Sequence, residues 1–214
     1  MQSVALIDYG SGNLRSAEKA LQKAAAGLAR PPEVIATDDP DRIVRADLVV
    51  LPGVGAFAAC MGALSARRGV IEAMTEAVKD RGAAFLGICV GMQLLASRGL
   101  EFGETHGLGW IEGDVRRIEP ADPHCKVPHM GWNSLSGDLP TPLFAGLPEG
   151  SHMYFTHSFA LFATHASDVA AETDHGGRFA AAVMRGNVAG VQFHPEKSQA
   201  AGARLLANVL DWRP

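Results

Sequence analysis

The 214-residue sequence predicts an α/β fold with a mixed, mostly parallel central sheet, and three observations lead to this prediction. Apolar runs of strand length alternate with stretches of helical spacing in the first half, which is the pattern of βαβ units. Two of these runs are apolar almost throughout, as strands covered on both faces of a parallel sheet require. The second half holds short strand-like stretches separated by turn residues, which indicates an antiparallel extension.

Strands and helices are predicted in alternation through the first half. Leu14 begins a series of apolar residues spaced by three and four, which continues to Leu28, and Pro31 and Pro32 end it. The predicted strands cover residues 4–7, 33–36, 47–51 and 83–88. The predicted helices cover residues 14–28, 57–65 and 70–81, and a further helix is expected over 92–97.

The second half predicts strands that pair through hairpins. The strand-like stretches are residues 114–118, 153–161, 169–173, 179–184 and 188–193, with glycine-containing turns between the last three. A final helix is expected over residues 199–212, with Ser198 as its N-cap. Because the sequence contains no internal repeat and no linker, we expect one domain over residues 1–214.

Composition excludes several classes of protein. Hydrophobic residues make up 47% and charged residues 20% of the chain, which argues against a disordered chain or a fibre. The net charge of −4 offers no basic surface for a nucleic acid. No apolar window has the length of a membrane span, and the N-terminus lacks the features of a signal peptide. The three cysteines, Cys60, Cys89 and Cys125, are too few for a disulfide framework, so we expect a cytoplasmic protein.

Cys89 is the candidate nucleophile. It is the central residue of a Gly-x-Cys-x-Gly motif, with Gly87 and Gly91 as flanks, between a predicted buried strand and a helix. This is the strand-to-helix elbow that exposes a nucleophile in hydrolases. A helix N-terminus there stabilises a thiolate and offers free backbone N–H groups to an oxyanion. The alternative is a small buried residue in a tight turn, since free cysteine is among the most buried residue types. For Cys60 and Cys125 that structural interpretation is preferred.

His194 is the candidate base among eight histidines, and Glu196 is the group that orients it. His194 follows an apolar strand, and Pro195 restricts it to extended geometry. In an extended chain the side chains of His194 and Glu196 point the same way, so the carboxylate accepts a hydrogen bond from one ring nitrogen. A surface turn with a solvated acid is the alternative.

Two further patterns offer weaker alternatives. His124, Cys125 and His129 could ligate zinc, but Pro123 and Pro128 interrupt the segment and no second ligand pair stands at finger spacing. The glycine turn at residues 10–15 superficially resembles a dinucleotide loop, yet its third glycine is missing, and a structural turn is the better interpretation.

A glycine-containing loop at residues 52–55 follows a predicted parallel strand, so it should lie at the same sheet edge as Cys89. Its backbone amides could supply an oxyanion donor beside that of Val90. An ordinary βα turn is the alternative.

These motifs belong to a series of segments that runs the length of the chain. The series comprises residues 7–14, 51–57, 87–94, 127–133, 154–159 and 192–198. With these segments the sequence resembles the class I glutamine amidotransferases, and within that family the glutaminase subunits of imidazole glycerol phosphate synthase. The resemblance implies a single flavodoxin-like domain that needs no cofactor and no metal.

The resemblance also implies roles for individual residues. Cys89, His194 and Glu196 would hydrolyse L-glutamine to glutamate and ammonia through a cysteine thioester. Oxyanion stabilisation and substrate binding would fall to Gly53, Val54, Gly55, Val90, Gln93 and Ser158. Val90 and Phe159 stand where the family often has leucine and tyrosine; the first change leaves the backbone amide in place, and the second removes a hydroxyl.

A partner is implied as well. Ammonia would pass to a (β/α)8-barrel cyclase subunit in a heterodimer, which converts PRFAR to imidazole glycerol phosphate and AICAR in histidine biosynthesis. The implied docking residues are Asn13, Met130, Trp132, Tyr154 and Lys197. The alternatives are the glutaminase of another pathway, such as pyridoxal phosphate or anthranilate synthesis, and a non-catalytic regulatory subunit with the same fold.

Overall fold

A computed structural model describes residues 2–137, 139, 142–148 and 150–214. The strands are β1 (Ser3–Ile7), β2 (Glu33–Thr37), β3 (Leu48–Gly53), β4 (Ala84–Cys89), β5 (Arg98–Gly99), β6 (Thr105–His106), β7 (Gly113–Arg117), β8 (His129–Ser134), β9 (His152–His157), β10 (Phe159–Ala163), β11 (Val169–Asp174), β12 (Arg178–Arg185) and β13 (Val188–Val191). The α-helices are α1 (Leu14–Ala26), α2 (Pro40–Arg45), α3 (Phe57–Ser65), α4 (Val70–Thr75), α5 (Val90–Gln93) and α6 (Gln199–Asp211). None of the helices formed by these residues is long and apolar enough to cross a membrane.

A seven-stranded sheet forms the centre of the molecule, in the order β11-β12-β13-β4-β3-β1-β2. The five strands from β13 to β2 are parallel, and β12 and β11 extend the sheet in antiparallel pairing. All residues of β3, β4 and β13 are buried. Their apolar sequences predict this, because both faces of a strand inside a parallel sheet are covered. The predicted mixed, mostly parallel fold class is therefore confirmed.

The helices pack their apolar stripes against this sheet. In α1 the buried residues Ala17, Leu21, Ala24 and Ala25 recur at helical spacing. The predicted helix over residues 70–81 forms in two parts, because α4 continues as a π-helical turn over Glu76–Asp80.

Two smaller sheets lie outside the central one. A four-stranded sheet has the order β10-β7-β5-β6, and β8 pairs with β9 in an antiparallel hairpin. The strand predicted over residues 153–161 is therefore wrong as one element: it divides at Ser158 into β9 and β10, which belong to different sheets. Three consecutive polar residues, Thr156, His157 and Ser158, interrupt the apolar pattern at this division.

The helix predicted over residues 92–97 is also wrong in its bounds. Helix α5 begins directly at Val90, and its four residues are followed by turns. The backbone N–H groups of Leu95 and Ala96 bond to carbonyls three residues earlier, and those of Trp110 and Ile111 both bond to Leu95 O. The chain after α5 is thus held by a neighbouring segment and does not continue the helix.

The sheet order places the predicted site at one edge. Strand β4 lies between β3 and β13, and the register pairs Gly53 with Cys89 and Ile88 with Val191. Because the carboxyl ends of parallel strands meet at one edge of a sheet, the segments after all three strands converge there.

Candidate active site

Cys89 occupies a strained position at the end of β4. Its φ of 55° lies in the left-handed region, which non-glycine residues adopt at a cost and which is concentrated at functional sites. The flanking glycines make the turn possible: a Cβ on Gly91 would overlap the carbonyl oxygen of Leu51, and one on Gly87 would lie 2.5 Å from the oxygen of Gly91. The Gly-x-Cys-x-Gly spacing therefore reflects the close packing of α5 over β3 and β4.

His194 and Glu196 form a buried pair. Nδ1 of His194 lies 2.8 Å from Oε1 of Glu196, and each side chain is 3% exposed. His194 is extended, as Pro195 predicts, whereas Glu196 lies in a single 3₁₀ turn, Pro195–Lys197, a departure from the predicted extended geometry. The predicted contact between the two side chains is nevertheless present.

Ser198 supports this pair instead of capping α6 with its side chain. It occupies the predicted N-cap position, but its hydroxyl makes no cap hydrogen bond. The Oγ atom donates to His194 O at 2.6 Å and accepts from the backbone N–H of Tyr154 at 3.0 Å. Ser198 thereby ties the His194 backbone to β9.

The charge state of His194 depends on its two partners. Burial is the largest single influence and opposes the protonated ring, yet the interactions with Cys89 and Glu196 raise the pKa of His194 to about 9. His194 shares the cavity wall with Cys89, and Glu196 holds its Nδ1. It can accept a proton from one side while it is oriented from the other.

We expect the pKa of His194 to fall in the Cys89→Ala variant, because the hydrogen bond and the charge that favour its protonated form are removed while burial remains. An NMR titration of the imidazole C–H resonances measures this, with Cys125→Ala as the matched control that leaves the value near 9. An unchanged pKa in Cys89→Ala would show that the thiol and the imidazole do not interact.

A cavity of about 230 Å³ opens beside the thiol and the imidazole. It is lined by Val54, Gly55, Cys89, Val90, Gln93, Glu101, Thr156, His157, Ser158, Phe159, His194 and Lys197. Five of the six predicted oxyanion and substrate residues are therefore at its wall. The sixth, Gly53, instead lines a small neighbouring cavity with His194 and Glu196. A Cβ on Gly53 would lie 2.7 Å from the amide nitrogen of Gly91, so this glycine allows the loop to approach the elbow.

The 52–55 loop is held by the glycine turn that follows β1. The Tyr9 hydroxyl donates to Pro52 O at 2.7 Å, and the Ser11 hydroxyl donates to Val54 O at 2.9 Å. These contacts favour a structural role for the turn over a dinucleotide site, because its side chains hold the loop beside Cys89.

Four polar residues at the site were not predicted: Glu101, Thr156, His157 and Gln192. Glu101 lines the cavity and accepts a hydrogen bond from the backbone N–H of Phe57 at 2.9 Å. His157 also lines the cavity. Gln192 is fully buried, and its Nε2 lies 3.8 Å from Cys89 Sγ. Gln192 stands in the apolar run before His194, where a buried amide is itself a signal, since buried polar groups need partners.

Gln93 contacts the far side of the cavity. Its Nε2 donates to Phe159 O at 2.8 Å and to Gln192 Oε1 at 3.0 Å. Because Phe159 contributes its backbone carbonyl, this contact does not depend on the side chain at that position. The tyrosine hydroxyl that Phe159 lacks is therefore not needed for it.

Four of the five predicted docking residues lie on or beside the β8–β9 hairpin. On β8, Met130 is 64% and Trp132 is 46% exposed, and Trp132 lies opposite Tyr154 of β9. Lys197 Nζ lies 5.6 Å from the centre of the Tyr154 ring, which connects this group to the cavity. Asn13, at the start of α1, is exposed and lines the same small cavity as Glu196.

The zinc alternative finds no support in the geometry. His129 is buried and hydrogen-bonded to His157, and the Nε2 of His129 faces Asn133. Within the described ranges, no group of three or more His, Cys, Asp or Glu residues could hold a metal ion.

Comparison with known proteins gives consistent results. A family model described as "Glutamine amidotransferase class-I" matches residues 5–211. Imidazole glycerol phosphate synthase subunit HisH of Caulobacter vibrioides is 62% identical over 214 residues, with 100% of both chains covered. The protein of the same name from Rhizobium meliloti is 54% identical, with 99% of both chains covered.

Solved structures agree with the fold. A crystal structure described as a glutamine amidotransferase superposes with a TM-score of 0.69 at 18% identity, with 98% of this chain and 99% of that chain covered. A glutamine amidotransferase from Thermotoga maritima gives a TM-score of 0.59 at 17% identity, with 91% and 76% covered.

Proposed function

The chain belongs to the class I glutamine amidotransferase family, and from this premise we infer that Cys89, His194 and Glu196 hydrolyse glutamine in the cavity described above. The observation that carries the inference is the strained Cys89 at the wall of the same cavity as an imidazole that Glu196 holds at 2.8 Å. A thiol, a base and an orienting carboxylate in this arrangement are the parts of nucleophilic acyl transfer.

The reaction proceeds in two half-reactions. The Cys89 thiolate attacks the γ-amide carbon, and the imidazolium of His194 gives its proton to the amide nitrogen, so that ammonia leaves and a γ-glutamyl thioester remains. Water then attacks the thioester while His194 accepts its proton, and glutamate leaves as the thiolate is restored. Glu196 keeps the ring in one orientation and stabilises its charge in both steps.

Backbone groups stabilise the oxyanion of each tetrahedral intermediate. The amide of Val90 lies at the start of α5, where helix N–H groups are free of intrahelical partners. The opposite wall is the 52–55 loop, in which Gly55 has a φ of 114° that only glycine adopts without strain. This conformational freedom allows the loop to turn a backbone amide toward the developing charge.

Glu101 provides the negative charge that suits the α-ammonium group of glutamine. We expect Glu101→Gln to raise KM for glutamine about tenfold, because a charge-assisted hydrogen bond at a cavity wall contributes on the order of 1.5–3 kcal/mol. The amide retains an acceptor for Phe57 N–H, so the fold is preserved. Steady-state kinetics measures the effect, and Glu104→Gln, in the adjacent exposed segment, is the control. An unchanged KM would remove Glu101 from substrate binding.

We further propose that the chain is the glutaminase subunit of imidazole glycerol phosphate synthase in histidine biosynthesis, in the cytoplasm. Both relatives described above are named imidazole glycerol phosphate synthase subunit HisH and match at least 99% of this chain, which favours this pathway over pyridoxal phosphate or anthranilate synthesis. The partner is then a (β/α)8-barrel cyclase, docked against Met130, Trp132, Tyr154, Lys197 and Asn13 as a heterodimer.

A glutaminase assay with and without the purified cyclase tests this assignment. We expect the isolated chain to be nearly silent and the complex with nucleotide-bound cyclase to be active, since ammonia released without an acceptor is wasted. Equal rates with and without the cyclase would contradict the assignment.

A further inference from the structure

Two buried histidines meet across the β8–β9 hairpin. His129 and His157 are directly paired in the register of the two strands, and His129 Nδ1 lies 3.1 Å from His157 Nε2. His129 is 3% and His157 is 7% exposed. The His129 ring stacks between Phe155 and His175, at centroid distances of 4.7 and 4.1 Å. The rings are thus fixed in place, and each polar nitrogen needs a partner.

The partners of these rings fix the position of every proton. His157 Nδ1 lies 2.9 Å from Phe159 O, and a carbonyl oxygen accepts only, so His157 Nδ1 carries the hydrogen. In a neutral ring His157 Nε2 then accepts, which requires His129 Nδ1 to donate. His129 Nε2 is left as an acceptor.

Asn133 completes the start of the chain. Its Nδ2 lies 3.2 Å from His129 Nε2 and 2.8 Å from Asp174 O, and its Oδ1 accepts from the backbone N–H of Ser134 at 2.8 Å. These backbone partners determine the orientation of the amide, so Asn133 donates to His129. The direction of donation is therefore Asn133 to His129 to His157 to Phe159 O.

The Phe159 carbonyl also accepts a hydrogen bond from a pair of glutamines that reaches Cys89. Phe159 O also accepts from Gln93 Nε2, which donates in addition to Gln192 Oε1, and Gln192 Nε2 contacts Cys89 Sγ. Both acceptor positions of Phe159 O are thus used, one by the hairpin and one by Gln93. Phe159 and its neighbour Ser158 lie at the wall of the cavity.

We propose that His157 is a positioning residue for glutamine hydrolysis, held as its Nδ1–H tautomer by His129 and Asn133. A directed hydrogen-bond chain from the β8–β9 hairpin then ends on the Phe159 carbonyl in the cavity wall, which also accepts from Gln93. The structural part of this proposal stands alone, and its effect on catalysis rests on the proposed function.

The electrostatics of the hairpin agree with neutral rings. Burial, with the charges of His157 and His175 as smaller influences, lowers the pKa of His129 to about 3. Burial likewise lowers the pKa of His157 to about 4, against the favourable hydrogen bond to Phe159 O. A second proton on His157, at Nε2, would place two donors against each other at the 3.1 Å contact with His129. A second proton on His129, at Nε2, would do the same at the 3.2 Å contact with Asn133 Nδ2, so the chain requires both rings to be uncharged.

The hairpin also carries two exposed residues on the same strand as His129. Met130 follows His129 directly, and Trp132 is the third residue after it. A partner that seats on these side chains contacts the strand that holds His129. The hydrogen-bond chain thus connects the strand of the proposed docking residues to the Phe159 carbonyl at the cavity wall.

The first test reads the tautomers directly. In a long-range ¹H–¹⁵N spectrum of the full chain at pH 7.5, we expect both His129 and His157 as neutral Nδ1–H tautomers, with His129→Asn and His157→Asn assigning the signals. A protonated Nε2 on either ring would overturn the proposal, and this result does not depend on any enzymatic activity.

The second test separates the donor from the packing of the ring. His129→Phe keeps an aromatic ring between Phe155 and His175 but has no donor, whereas His129→Asn keeps a donor at the place of Nδ1. In the complex with the cyclase, we expect His129→Phe to raise KM for glutamine about tenfold, because a buried hydrogen bond is lost. We expect the KM of His129→Asn to stay within about threefold of the wild-type value. The kcat of both variants should change less than KM.

Equal effects of the two substitutions, or a loss confined to kcat, would contradict the positioning role. If His129→Phe does not fold, the comparison of His157→Asn, which retains a donor to Phe159 O, with His157→Gln, which does not, decides the same question. Absence of glutaminase activity in the wild-type complex would refute the proposed function, and the tautomers alone would then decide whether the hydrogen-bond chain exists.

Discussion

Replacement of Cys89 by alanine is expected to lower kcat for glutamine hydrolysis by at least about 10⁴-fold, because the variant cannot form the thioester. The side chain is 4% exposed, and alanine fills most of its space, so we expect the fold and the docking surface to be retained. Glutaminase assays with the cyclase, together with titration calorimetry of the complex, measure both effects.

Cys125→Ala is the matched control for this result. Cys125 is also a free cysteine, but it is partly exposed and lies against Gly176, away from the cavity-lining residues. We expect wild-type turnover from it. Wild-type turnover in Cys89→Ala with the cyclase present would refute the assignment of the nucleophile.

Gly91→Ala is expected to destabilise the protein by about 3–5 kcal/mol and to abolish activity. The added Cβ would overlap the carbonyl oxygen of Leu51, in a strand that is fully buried, so either α5 or β3 must move. A shift of α5 carries Cys89 and the Val90 amide away from the loop that faces them. Urea denaturation of the purified variant measures the loss of stability.

Gly62→Ala provides the contrasting control. Gly62 lies inside α3, and a Cβ there would meet no atom within 4 Å. We expect this variant to be more stable by about 0.5–1 kcal/mol, because alanine favours the helix over the unfolded chain. A similar loss of stability in both variants would show that the overlap at Leu51 is not the cause.

The positions of Cys89 and His194 in the candidate site could be predicted from the sequence, because the backbone that each needs is visible in the neighbouring residues. The Cys89 elbow needs glycine on both sides, and an apolar strand precedes it. His194 is marked by the strand before it and by Pro195 after it. In both cases the constraint and the functional side chain lie within a few residues of each other, which is the range over which sequence patterns are informative.

The features that could not be predicted depend on contacts between residues far apart in the sequence. Strand β8 contains Gly131 at a φ of 133° and alternates poorly, so nothing marks it as a strand. His129 and His157 are 28 residues apart and meet only through the register of the hairpin. Glu101 lies in a turn between β5 and β6 and reaches the site because that small sheet packs beside α3. None of these placements has a local signature.

Detection of the thioester is the most direct test of covalent catalysis at Cys89. Acid quenching of the cyclase complex during turnover of carbon-labelled glutamine, followed by peptide mapping, locates any covalent intermediate. We predict label on the peptide that contains Cys89, its release by hydroxylamine, and none in the Cys89→Ala variant. Turnover that continues without label on that peptide, or label on a peptide that contains another nucleophile, would contradict this mechanism.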